Sequence, residues 1–140
     1  MKIFIIIWLV SLFPSSSLLS NLSNQQIDLA EEVYLQAEEN NINPEQFARL
    51  VYCESSFNSL AKGDYRSETG EYMANGIMQW WKVSYELYSK KYNFKGNYWS
   101  SEDQITLAAK VISKEKNGWK NWLVCGKIAG YDENKKIARK

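Results

Sequence analysis

Residues 43–58 read NPEQFARLVYCESSFN, and this stretch predicts the helix around which the rest of the chain is arranged. Asn43 is a favoured N-cap residue, and Pro44 suits the first helical position. Apolar side chains then recur at helical spacing and predict one buried face: Phe47, Leu50 and Val51. The pattern ends near Glu54 or Ser55, where a polar stretch begins. Glu54 should therefore emerge where a buried helix meets a loop-rich surface.

A carboxyl group at that position has a specific chemical use. Partial burial disfavours the charged form, so the group can keep its proton near neutral pH. A protonated carboxyl can donate to a glycosidic oxygen, which is the central requirement for breaking an acetal. Most glutamates at helix ends are solvated surface residues, so Glu54 needs support from its neighbours.

The sequence around and after Glu54 resembles the soluble lytic transglycosylase signature, a Glu-Ser pair followed by Gly-Leu-Met-Gln. The matching blocks are Cys53-Glu54-Ser55-Ser56-Phe57-Asn58, Ala61, Gly76-Ile77-Met78-Gln79 and, five residues after Gln79, Ser84. The resemblance implies a lysozyme-like α+β domain, predominantly α-helical, with Glu54 as its single catalytic acid and base. It also implies cleavage of the β-1,4 bond between N-acetylmuramic acid and N-acetylglucosamine in peptidoglycan glycan strands.

The C-terminal half is similar to resuscitation-promoting factors. The matching blocks there are Glu102-Asp103-Gln104-Ile105, Ala108-Ala109-Lys110-Val111-Ile112 and Trp122-Leu123-Val124-Cys125-Gly126. The two matching cysteines of that family form a disulfide, which implies a bond between Cys53 and Cys125. The chain lacks the Ala-Tyr-Asn-Ala-Gly segment of the transglycosylases and has Trp80-Trp81 where they have smaller residues. The sequence therefore does not decide between the soluble lytic transglycosylases and the resuscitation-promoting factors.

The reaction outcome depends on whether a second carboxylate acts with Glu54. Transglycosylases need none, because the 6-hydroxyl of the sugar attacks and gives a 1,6-anhydro-muramic product. We predict this outcome. A muramidase of the resuscitation-promoting-factor type would hydrolyse the same bond, and an inverting hydrolase needs a base for water, for which Asp64, Glu68 and Glu71 are the candidates. A non-catalytic glycan-binding module on the same scaffold is the third alternative.

Five further residues are predicted to bind substrate. Gln79 has both a donor and an acceptor for an N-acetyl or hydroxyl group, and Ser84 matches the Thr or Ser that the transglycosylases place after their glutamine. Three of the five are aromatic and are candidate sugar platforms, namely Tyr72, Trp80 and Trp81, and Trp119 is a further candidate outside the five. A third helix is predicted to begin near Ile77, which would put Trp80 and Trp81 about 100° apart, so that at most one faces sugar.

The remaining pattern completes a mostly helical domain. Ser23 and Gln26 form a capping box for a first helix that ends near Asn40, and residues 57–75 predict turns with room for a short hairpin. Ser101 with Gln104 is the predicted cap of the last long helix, which ends at Asn117 and Gly118. Trp119, Trp122 and Cys125 are expected to close the fold.

The two ends of the chain have their own composition. Residues 1–22 have Lys2, an apolar run at 3–13 and a small-residue stretch, which predict a signal peptide or, if the apolar run continues through Leu22, an uncleaved anchor. The catalytic domain is predicted over residues 23–126, followed by a basic solvated tail at 127–140. A secreted or periplasmic protein is expected.

Composition excludes several other classes of protein. The 140 residues have a formal net charge of +1, which gives no general attraction to nucleic acid. They include no His and only two Cys, so the usual zinc sites and His-dependent triads are excluded. We therefore expect a monomeric enzyme that uses no metal and no organic cofactor.

Overall fold

The computed structural model describes residues 1–15 and 20–129. These residues form six α-helices and a three-stranded sheet, so the predicted α+β, predominantly α-helical class is confirmed. In chain order the elements are α1 Lys2–Leu12, α2 Asn24–Glu39, α3 Pro44–Ser55, β1 Lys62–Arg66, β2 Glu71–Asn75, β3 Trp80–Trp81, α4 Lys82–Lys91, α5 Ser101–Lys114, a 3-10 turn Gly118–Trp122 and α6 Leu123–Ile128.

Helix α3 forms as its sequence predicts. The Asn43 side chain accepts a hydrogen bond from the Gln46 backbone N–H at 3.1 Å, and Pro44 occupies the first turn. The apolar face is fully buried: Phe47, Ala48, Leu50 and Val51. The helix stops at Ser55 because Ser56 takes the left-handed conformation, with φ +52°. Glu54 consequently lies in the last turn of a helix held at the centre of the core.

Helix α2 supports α3 from one side. The predicted capping box is present, with the Ser23 hydroxyl accepting from the Gln26 N–H at 3.1 Å and the Gln26 side chain accepting from the Ser23 N–H at 3.1 Å. Its buried face packs against α3 and α5. Burial of this kind contributes most of the stability of a helical core, since each fully buried aliphatic side chain is worth roughly 1.5–3 kcal/mol.

The expected hairpin is formed by β1 and β2, but the predicted start of the third helix at Ile77 is wrong. Trp80 and Trp81 pair with β2 as the short strand β3, with Trp81 opposite Ala74 and Trp80 opposite Asn75. Helix α4 begins only at Lys82. Neighbouring side chains on a strand point to opposite faces, and here Trp80 is buried whereas Trp81 is partly exposed. The helical spacing predicted for this pair was wrong, although only one of the two is open to solvent.

Helix α5 is capped by Ser100, not by the predicted Ser101. The Ser100 hydroxyl accepts from the Asp103 N–H at 3.2 Å. Gln104 is not part of a cap either, because it is 1% exposed and its amide contacts the chain around β2 and β3. It accepts from Met78 N–H at 3.1 Å and donates to the carbonyls of Tyr98 at 2.8 Å and Asn75 at 3.2 Å. This buried amide holds the turn that precedes β3.

The C-terminal segment closes over α3. Cys53 and Cys125 form a disulfide with 5.5 Å between their Cα atoms, as the family resemblance implies. The Trp122 indole donates to the Met78 carbonyl at 2.8 Å. Residues 127–128 lie in α6, so this helix extends into the segment predicted as a tail, while 130–140 lie outside the described residues.

Helix α1 covers part of α2. Ile5 and Leu9 are fully buried, and Lys2 pairs with Asp28 on α2 at 2.8 Å. Over residues 1–15 and 20–129, no helix has both the length and the apolar character needed to cross a bilayer. The signal-peptide assignment of residues 1–22 stays a prediction.

Candidate active site

Glu54 lines a cleft of about 580 Å³ that lies between the sheet and the C-terminal segment. One wall comes from the sheet and the start of α4: Asp64, Ala74, Gln79, Trp80, Trp81 and Ser84. The opposite wall comes from the 3-10 turn and α6: Lys120, Asn121, Trp122, Leu123, Val124 and Cys125. The cleft brings together Glu54 and four of the five predicted substrate-binding residues.

The Glu54 carboxyl is suited to hold a proton. Burial, and to a lesser extent the negative charge of Asp64, raises the pKa of Glu54 to about 7. A carboxyl with a pKa near neutrality is close to the optimum for a general acid, because it is substantially protonated and still able to give up the proton. The structure thus places Glu54 in a cleft with a raised pKa, and its catalytic role stays a prediction.

Asp64 is the second carboxylate of the cleft, and of the three candidates the structure brings this one beside Glu54. Its Oδ2 accepts a hydrogen bond from the Trp81 indole Nε1 at 2.8 Å. Asp64 has φ +52°, a conformation that costs energy in a residue with a side chain. Glu68 lies in the hairpin turn, and Glu71 lines a different groove. The pairing of Asp64 with Trp81 had no sequence signal, because it depends on β1 and β3 both flanking β2.

Gln79 is the last residue of the turn that precedes β3. Its side-chain amide donates to the carbonyls of Ala61 at 3.0 Å and Gly76 at 2.9 Å, which engages both of its N–H groups. A Cβ on Gly63 would lie 2.4 Å from Gln79 Oε1, so any other residue there would displace the end of the Gln79 side chain. Gln79 thus joins the loop after α3 to the turn before β3.

The predicted aromatic and hydroxyl residues divide between the cleft and its surroundings. Trp81 and Ser84 are partly exposed in the cleft, and Trp81 lies under the Arg66 guanidinium, 5.0 Å from its ring centroid. Trp80 reaches the cleft only with an edge, since it is 2% exposed and its indole donates to the Gln104 carbonyl at 3.2 Å. Trp119 is buried. Tyr72 is exposed but lines the neighbouring groove.

The sequence reasoning missed the wall formed by residues 120–124. The expected disulfide contained a signal for it, because a bond from Cys53 to Cys125 brings the residues before Cys125 next to Glu54. Leu123 and Val124 are 64% and 71% exposed, so this wall presents apolar surface to a ligand. Within the part of the chain that the structure describes, no group of three or more His, Cys, Asp or Glu side chains is placed to hold a metal ion.

Comparison with known proteins identifies the scaffold. The family model described as the transglycosylase SLT domain matches residues 33–136, which include every residue of the cleft. Searches of curated proteins and of solved structures gave no significant match.

Proposed function

This chain belongs to the transglycosylase SLT domain family, and from that membership we propose that it cleaves the β-1,4 bond between N-acetylmuramic acid and N-acetylglucosamine with Glu54 as catalytic acid and base. The family supports lytic transglycosylase-type activity on peptidoglycan in general. The observation that carries the finer assignment is a partly buried carboxyl of pKa about 7 in a cleft of about 580 Å³.

The proposed reaction uses the Glu54 carboxyl twice, first as an acid and then as a base. Protonated Glu54 donates to the glycosidic oxygen as the bond from C1 of the muramic acid to that oxygen breaks, and the N-acetylglucosamine leaves with its hydroxyl restored. The carboxylate so formed accepts the proton of the muramic 6-hydroxyl as its oxygen bonds to C1. The products are a 1,6-anhydro-muramic end and a free hydroxyl, and Glu54 is protonated again.

The cleft walls would hold the strand over Glu54. Trp81 presents a partly exposed aromatic ring, and its indole N–H is already bonded to Asp64, so the ring is fixed in orientation. Ser84 and Gln79 supply polar side chains on the same wall. Leu123 and Val124 supply apolar contact from the other side.

Hydrolysis is the second candidate outcome, and the presence of Asp64 in the same cleft favours it. A carboxylate in that position could activate water in place of the 6-hydroxyl, which would make the protein a muramidase.

A substrate outside the cytoplasm also fits export of the protein, and the Cys53–Cys125 disulfide supports that location, because such bonds persist in oxidising compartments.

Glu54→Gln tests the assignment, since the amide keeps the shape of the side chain but has no transferable proton. We expect the variant to retain its fold and its binding of glycan strands and to lose cleavage of purified peptidoglycan. Cleavage at near the wild-type rate would overturn the role of Glu54. A wild-type protein that binds strands and releases no soluble fragments would instead indicate the non-catalytic binding module.

A further inference from the structure

A second groove of about 600 Å³ adjoins the Glu54 cleft, with Trp81 lining both. Its exposed walls come from the hairpin, from the start of α4 and from the segment before α5: Lys62, Tyr72, Lys82, Val83 and Trp99. Tyr72 and Trp99 are 47% and 69% exposed, so two aromatic faces line a concave surface. We refer to this surface as the Tyr72 groove.

The Tyr72 groove has an excess of positive charge. Lys62 and Lys82 lie on its walls against one carboxylate, Glu71. The Lys62 ammonium is 5.8 Å from the centroid of the Tyr72 ring, so the cation is held beside the aromatic surface. Lys82 is 4.0 Å from Glu86, at the long limit of an ion pair between two exposed groups. Such a pair contributes little, so Lys82 is available to a ligand.

We propose that the Tyr72 groove binds the acidic stem peptide carried by a muramic acid residue of the strand that occupies the Glu54 cleft. This proposal rests on the proposed function, because peptidoglycan differs from a plain amino-sugar polymer by these peptides. Their carboxylates match the lysines, and their small side chains match the apolar surface of Tyr72, Val83 and Trp99. In a peptide-bearing strand the lactyl carboxyl of each muramic acid is joined to its peptide by an amide bond, so the sugars themselves carry no charge with which the two lysines could pair.

The Glu54 cleft and the Tyr72 groove meet at one residue. Trp81 separates the two cavities and lines each of them. An extended peptide covers about 3.3–3.6 Å per residue, so two or three residues are long enough to pass one aromatic side chain. A peptide attached to a sugar bound against Trp81 in the cleft is therefore long enough to enter the groove.

Binding to two forms of the same glycan tests the proposal. The full chain with Glu54→Gln is titrated with strands that keep their stem peptides and with strands from which an amidase has removed them and whose freed lactyl carboxylates have been converted to N-methyl amides. We expect tighter binding of the peptide-bearing strands. Adding Lys62→Gln and Lys82→Gln should remove that preference, about a tenfold loss, and leave the affinity for stripped strands unchanged. Lys90→Gln, on the same helix as Lys82 but outside the groove, is the matched control and should change neither affinity.

The possible results distinguish a failure of the peptide assignment from a failure of the proposed function. Equal binding of both strands would overturn the peptide assignment, while cleavage by the wild-type chain would leave the proposed function intact. A loss of affinity for both strands in the lysine variants would mean that sugar occupies the groove, which also overturns the proposal. Absence of binding to either strand, together with no cleavage by the wild type, would overturn the proposed function and the groove assignment with it.

Discussion

The Asp64 carboxylate accepts a hydrogen bond from the Trp81 indole, with 2.8 Å between Oδ2 and Nε1. This bond joins β1 to β3 across the intervening strand, and both side chains line the cleft that contains Glu54. One carboxylate thus has two effects. Its oxygen fixes the plane of an aromatic ring on the cleft wall, and its charge helps to raise the pKa of Glu54.

Asp64→Asn separates the two effects, because an amide oxygen can still accept from the indole but has no charge. Loss of the charge should lower the pKa of Glu54, so the acid loses its proton at lower pH. We expect the alkaline limb of the kcat/KM profile, which lies near pH 7 in the wild type, to move to lower pH. Peptidoglycan turnover from about pH 4 to about pH 9 measures this shift. Glu68→Gln, which removes a carboxylate from the hairpin turn instead, is the control. It should leave the alkaline limb of the kcat/KM profile unchanged.

Asp64→Ala should also weaken glycan binding. The substitution removes the acceptor as well as the charge, so the Trp81 ring is no longer held in one orientation. A hydrogen bond to a charged group is worth about 1.5 kcal/mol, which corresponds to roughly a tenfold higher Kd. Titration of glycan strands into Glu54→Gln chains with Asp, Asn or Ala at position 64 measures the difference. Equal affinities for all three would mean that the hydrogen bond does not orient the platform.

The sequence predicts those features of the site that depend on one short segment of the chain. The position of Glu54 follows from the cap at Asn43, the apolar face of α3 and the polar residues after Ser55, all within one segment. The partners of Glu54 come from elsewhere in the chain. Only the implied Cys53–Cys125 bond carried information about a distant wall of the cleft, because a covalent link specifies a contact that periodicity does not.

The predicted start of the third helix and the predicted cap of α5 were wrong because tertiary contacts override the local sequence pattern. Apolar residues from Ile77 onward fit helical spacing, yet β2 provides a partner strand for Trp80 and Trp81, and Gln79 at φ +51° breaks any helix before them. Ser100 and Ser101 are equally good caps by residue type. Burial of the Gln104 amide under the Gly76 turn decides between them, and that contact is not visible in the sequence.

Glu54→Gln should make the protein more stable at neutral and alkaline pH. The folded carboxyl has a pKa of about 7, against the ordinary value of 4.5 for a glutamate. Between these values the unfolded chain has released the proton and the folded chain still holds it, so stability falls as pH rises through the window. The amide removes this dependence. Allowing for partial exposure of the side chain, we expect a gain of about 1 kcal/mol above pH 7, or about 3 °C in Tm, and no gain below about pH 4. Melting curves at several pH values test the sign, and a gain independent of pH would contradict the explanation.

Reduction of the Cys53–Cys125 bond should lower both stability and activity. The bond closes a loop with a sequence separation of 72, and loop-closure entropy for that length is worth about 4 kcal/mol. Loss of the bond also frees the cleft wall beside Glu54, because Cys125 follows Leu123 and Val124 directly. Tm and turnover measured with and without reductant give both effects. A Cys53→Ser, Cys125→Ser chain should be insensitive to reductant, and two titratable thiols in the oxidised wild type would show that the bond does not form.

The products should carry 1,6-anhydro-muramic ends. Attack by the 6-hydroxyl is intramolecular, and well-oriented intramolecular groups reach effective molarities of about 10⁵ to 10⁸ M, which replaces the ordered water that a second carboxylate would hold. The one other carboxylate in the cleft, among the described residues, is Asp64, and its Oδ2 is already bonded to Trp81. Mass spectrometry of fragments released in ¹⁸O-labelled water distinguishes the routes, since hydrolysis places the label at the new reducing end and transglycosylation excludes it. Labelled ends would mean hydrolysis, and Asp64→Asn should then abolish turnover at every pH, whereas under transglycosylation the same variant keeps its activity and moves only the alkaline limb.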